Sequence, residues 1–128
     1  MHYSPWWCGL GSIMLLGVTV LSLIPMSPDL PMAGADKLQH ALAYGTLMYW
    51  WGMVQPDRQL RWMAGLLALG AALELAQGLT AYRDMEAADL AADFVGLLAA
   101  LCLLRTSAAR LLVKLDLQLF NRLNAGSP

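Results

Sequence analysis

The sequence predicts an all-α membrane protein, with four transmembrane helices in a compact bundle and a C-terminal amphipathic helix on the cytoplasmic surface. Three observations lead there. Of 128 residues, 59% are hydrophobic and 13% are charged, about half the ~25% charge of ordinary globular domains. Mean hydropathy is +0.53. The apolar residues gather in four runs near the ~20 residues that cross a hydrocarbon core. Eight Lys and Arg against nine Asp and Glu leave a net charge of -1, which excludes the basic field of a nucleic-acid binder. The length suits one domain, residues 1–128.

The first run, about 7–24, carries no charge and ends at Pro25, with Pro28 and Pro31 keeping the following stretch out of a helix. No Lys or Arg precedes it, which argues against a cleaved signal peptide. The second, about 37–54, opens on polar residues that suit the headgroup layer and stops before Pro56 and Asp57. The third, about 60–79, is apolar except for Arg61, Glu74 and Gln77. The fourth, about 87–104, is apolar except for Asp89 and Asp93. Small residues such as Gly65, Gly70, Ala92 and Gly96 line the last two runs and allow close helix approach. Residues 107–123 are too short and too charged to span. As a helix they place Leu111, Leu112, Leu115, Leu119 and Leu123 on one face, the pattern of a helix lying on a membrane surface.

Sidedness follows from the basic residues. Arg58, Arg61, Arg105, Arg110, Lys114 and Arg122 fall on one side, which predicts a bacterial inner-membrane, multi-pass protein with both termini cytoplasmic. The opposite side holds Asp29, Asp36, Glu74, Asp84, Glu86, Asp89 and Asp93 against Lys37 and Arg83. Trp6, Trp7, Trp50, Trp51 and Trp62 fall at the cytoplasmic ends, where indoles anchor helices at the interface. Cys8 and Cys102 fall at the same end, where reducing conditions argue against a disulfide. No CxxC, HExxH or Cys/His cluster marks a structural zinc site.

The informative residues are those a membrane helix should not carry. Asp36, His40 and Tyr44 recur at i, i+4 and i+8, and Asp89, Asp93 and Gly96 at i, i+4 and i+7, so each set shares a helix face. Glu74 and Gln77 lie at i and i+3 on the third run, with Arg83 in the loop beyond. All converge at the outer end of the predicted bundle. Ionisable groups there should face inward and pair. Asp29, Asp84 and Glu86 read as solvated loop charges.

Two mechanisms suit such a group. In one, His40 is general acid or base, oriented by Glu74, Asp89 or Asp93, while Arg83 and Lys37 hold an anionic headgroup. In the other, His40, Glu74, Asp89 and Asp93 hold a divalent metal ion that binds phosphate or activates water. Asp36, Lys37, Tyr44, Gln77 and Arg83 complete the predicted substrate contacts. A purely structural polar network accounts for the same residues.

Asp36–Leu47, DKLQHALAYGTL, resembles the first signature of the VanZ-like family of small membrane proteins. Glu74–Gly96, ELAQGLTAYRDMEAADLAADFVG, resembles its second, with Asp93 where that family more often has Asn. The family's characteristic positions fall on Asp36, Lys37, His40, Tyr44, Glu74, Gln77, Arg83, Asp89 and Gly96. The resemblance implies a cell-envelope setting and a family name tied to glycopeptide resistance; it supplies no reaction.

The resulting expectation is an extracytoplasmic polar pocket that binds, and as an enzyme would hydrolyse or transfer, a lipid headgroup or lipid-linked cell-wall intermediate. The alternative is a non-catalytic lipid-binding helper of a membrane partner or homo-oligomer, linked to envelope stress or glycopeptide resistance.

Overall fold

The computed structural model describes residues 4–24, 34–79 and 86–125. Five α-helices account for most of them: α1 (Ser4–Leu23), α2 (Ala35–Val54), α3 (Gln59–Gly78), α4 (Ala87–Leu104) and α5 (Leu111–Ala125). Short 3-10 turns precede α3 (Pro56–Arg58) and α5 (Ser107–Arg110).

Local chemistry explains the boundaries. Gly34 precedes α2 at φ 84, a left-handed conformation that favours glycine. Asp36 in the first turn of α2 and Asp89 in that of α4 place carboxylates at the positive ends of the helix dipoles. α2 closes with the Gln55 N–H returned to the Trp51 carbonyl, and Pro56 then enters the 3-10 turn. The Thr106 side chain accepts from the Ala108 N–H and caps the turn leading into α5.

The α2–α4 pair is the most extensive helix contact. His40 meets Asp93, and Gly52 meets Leu104, so the two helices run parallel. Their backbones touch midway: a Cβ on Gly96 would collide with the Ala41 carbonyl oxygen, and one on Gly45 would sit 3.1 Å from the Gly96 carbonyl oxygen. Glycine is required at 96 by this close approach. α3 returns antiparallel, its Gly70 beside Tyr44 and Asp93. α1 lies across the bundle, with Trp7 near Trp50 at one end and Ser22 near Gln77 at the other.

The core lies below the polar cluster and includes Leu47, Met48, Trp51, Leu66, Leu97 and Leu104. Trp51 stacks on Trp62 at 3.9 Å, and Trp7 meets Trp50 edge-on at 6.0 Å. The indoles other than exposed Trp6 thus pack against protein instead of forming an interfacial belt.

This architecture corrects the four-span expectation. Helices do occupy the predicted runs, but among the described residues only α1 and α4 are long and apolar enough to cross a membrane. α2 and α3 fall short because Asp36, Lys37, His40, Arg61, Glu74 and Gln77 interrupt them. The polar residues of α4 also turn inward, onto α2: Asp89 and Asp93 are buried. A multi-pass inner-membrane topology with both termini cytoplasmic therefore does not hold, and the basic residues no longer define a cytoplasmic face.

α5 departs from the surface-helix expectation as well. It is docked on the bundle through Leu112 and Asp116, both buried, while Leu115, Leu119 and Leu123 are exposed. Trp7 Nε1 donates to Asp116 Oδ1 at 2.8 Å, and the Tyr49 hydroxyl donates to the Ala108 carbonyl at 2.8 Å. Polar anchoring, invisible to a count of leucines, selects the buried face.

Candidate metal centre

Helical spacing assembles the site. On α2, Lys37 and His40 reach Asp89 and Asp93 of α4, Asp36 lies near Asp89, and Tyr44 is buried beside Gly70 of α3. His40 Nδ1 lies 3.0 Å from Asp93 Oδ1, and His40 Nε2 lies 3.7 Å from Asp89 Oδ2. Glu74 enters from α3 and is buried. It also accepts the Glu86 backbone N–H at 3.3 Å, satisfying a donor at the start of α4.

Donor atoms of His40, Glu74 and Asp89 lie within 4.8 Å of one another. Two ligands each about 2.1 Å from an ion stand ~3–4 Å apart, so side-chain shifts of about an ångström would close this set on a metal. The His40–Asp93 contact favours that use. An imidazole donating Nδ1–H to a carboxylate carries its lone pair on Nε2, which faces Asp89, the arrangement that orients metal-bound histidines. A buried His/Glu/Asp cluster capable of coordinating a metal ion is thus present.

The electrostatics are those of an anionic pocket. Asp93 holds the His40 imidazolium above its ordinary range, against the opposing effect of burial. Burial, reinforced by Asp93 and Glu74, pushes the Tyr44 hydroxyl up. Asp36 is held below the usual carboxylate range by its hydrogen bond to Lys37, and Lys37 is raised by Asp36 and Glu86 in return. Five carboxylates, from Asp36, Glu74, Glu86, Asp89 and Asp93, surround one ammonium and one imidazole. The α4 N-terminus offsets roughly half an elementary charge of this excess.

Space for the pair comes from Gly70: a Cβ there would lie 2.5 Å from Asp93 Oδ2 and 3.3 Å from the Tyr44 hydroxyl.

Comparison with known protein families, with curated proteins and with solved structures finds no match. The VanZ-like resemblance is accordingly overturned, together with the envelope and glycopeptide-resistance setting it implied. Among the described residues only two helices have the character of a span, and no family pattern supports the two short stretches.

The lipid-headgroup pocket is overturned too, both as a processing site and as the docking site of a membrane helper. Glu74, Gln77, Asp89 and Asp93 are each at most 5% exposed and turn on neighbouring protein groups. Headgroup-lining side chains would have to present their polar atoms outward.

The predicted residues divide accordingly. His40, Glu74, Asp89 and Asp93 come together, with Tyr44 beside them and Lys37 and Asp36 at the rim. Gln77 instead donates from Nε2 to the Ser22 carbonyl, one of the last carbonyls of α1, and so ties α3 to α1. Arg83, Asp29 and Asp84 lie outside the described residues. Glu86, read as a solvated loop charge, pairs with Lys37 at 2.9 Å. Its position four residues before Leu90 and three before Asp89 was the available signal. Gly70 had none beyond its small size.

Proposed function

We propose that this protein binds a divalent cation through His40 Nε2, Glu74 and Asp89, with Asp93 holding the imidazole. The observation that carries this reading is the Asp93–His40 contact, which leaves Nε2 facing Asp89 in a group whose third member is Glu74. One imidazole and two carboxylates suit zinc or another first-row divalent ion. Three protein ligands leave coordination positions open, the pattern of catalytic rather than closed structural sites. Such an ion polarises an oxygen or lowers the pKa of bound water, so metal-assisted hydrolysis is the chemistry this donor set would serve.

Titration calorimetry with Zn²⁺, and visible absorption with Co²⁺, test the reading. One equivalent should bind, and His40→Ala, Glu74→Gln and Asp89→Asn should each abolish or severely weaken it. Stoichiometric binding that survives all three substitutions, or no binding by the folded wild type, overturns it.

The same contact supports a second reading, metal-free general acid–base catalysis by His40 with Asp93 as the orienting group. Activity that persists in chelator and disappears in His40→Ala selects it.

A further inference from the structure

Lys37 stands where the cluster opens. Its Nζ lies 2.9 Å from Asp36 Oδ2, 2.9 Å from Glu86 Oε2 and 3.6 Å from Asp89 Oδ1. Carboxylate oxygens of these three acidic residues also lie within 4.8 Å of one another, so the ammonium sits inside a second group with cation-binding spacing. Asp89 belongs to both groups. Its Oδ2 faces His40 and its Oδ1 faces Lys37.

We propose that Lys37 is a tethered internal cation that competes with the divalent ion for Asp89 and thereby sets the affinity of the site. This rests on the metal-binding reading above. A carboxylate paired with an ammonium offers less charge to a metal, and a dication placed between His40 and Asp89 repels an ammonium only a few ångströms farther out.

The competitor is built to move. The Lys37 side chain is 38% exposed, and its outer partners Asp36 and Glu86 are 44% and 52% exposed. Ion pairs at that exposure are weak and cost little to break. Asp89, at 4%, is the partner that cannot follow Lys37 into solvent. Withdrawal of Lys37 therefore returns a buried, charged ligand to the metal while Asp36 and Glu86 remain hydrated.

The test is Zn²⁺ titration calorimetry on the full chain, comparing wild type, Lys37→Met and Lys37→Arg, with helical content checked by circular dichroism. Lys37→Met should bind Zn²⁺ about fivefold more tightly, the scale of one partly exposed ion pair. Lys37→Arg keeps the charge and should bind as the wild type does. Binding in Lys37→Met that is unchanged or weaker, with wild type still binding one equivalent, overturns the competitor role and leaves the metal site standing. Failure of both proteins to bind Zn²⁺ removes the metal site, and the competitor with it.

Discussion

His40 and Asp93 are joined across 53 positions of sequence by a 3.0 Å contact between Nδ1 and Oδ1. One turn along α4 from Asp93, Gly96 touches the α2 backbone at Ala41. The closest approach of the two helices and the orientation of the imidazole are thus parts of one contact.

Replacing Gly96 by Ala should strain that contact, because the atom in the way is a backbone carbonyl oxygen that cannot rotate aside. A loss of about 1–3 kcal/mol in chemical denaturation is expected. Gly17→Ala is the control. Its Cβ would enter open space on α1, so stability should hold or rise by about 0.5–1 kcal/mol from helix propensity.

Asp93→Asn preserves shape and removes charge. It should lower the His40 pKa toward its ordinary value, read by NMR titration of the imidazole, because the Asp93 hydrogen bond is the largest cause of the upward shift. Zn²⁺ affinity should fall by about 10–100-fold, as when the partner of a ligating histidine is lost.

The same shift fixes a pH dependence. His40 is raised in the folded protein, so its contribution to stability is complete below the unfolded value of about 6.5 and disappears as pH rises through the folded value. In chelator, the melting-temperature advantage of wild type over Asp93→Asn should therefore shrink on going from pH 6 to higher pH. Cation affinity should run the opposite way, strengthening with pH as the competing proton leaves Nε2.

Trp7→Phe keeps an aromatic ring edge-on to Trp50 and deletes the N–H that Asp116 accepts. Weakening the supply of donors to a buried carboxylate should cost about 1–3 kcal/mol. Faster amide exchange, concentrated in α5, is the expected signature by hydrogen-exchange mass spectrometry.

Much of the helix placement was legible in the sequence. Proline at 25 and 56 and the apolar runs locate the first four helices to within about three residues, and the four-residue spacing of His40 with Tyr44 and of Asp89 with Asp93 marks two facing stripes. What composition misjudged is where the apolar residues go. Leu47, Met48 and Leu97 lie in runs read as membrane spans and are buried against protein, while Leu112 and Asp116 share the docked face of α5. Periodicity states which residues lie together on a helix, not what that face meets. The pairing of Nδ1 with Asp93 occurs beside the Ala41–Gly96 contact, and both are distances between helices that no single-helix pattern contains.

The parallel course of α2 and α4 has a consequence for assembly. Two parallel helices cannot be joined by a tight hairpin, and the chain between His40 and its carboxylate returns through α3. Docking of this pair is a long-range event of the kind that slows folding. A nascent chain that has completed α3 already contains the imidazole and Glu74 yet lacks Asp89 and Asp93, and metal capture should therefore report the arrival of α4.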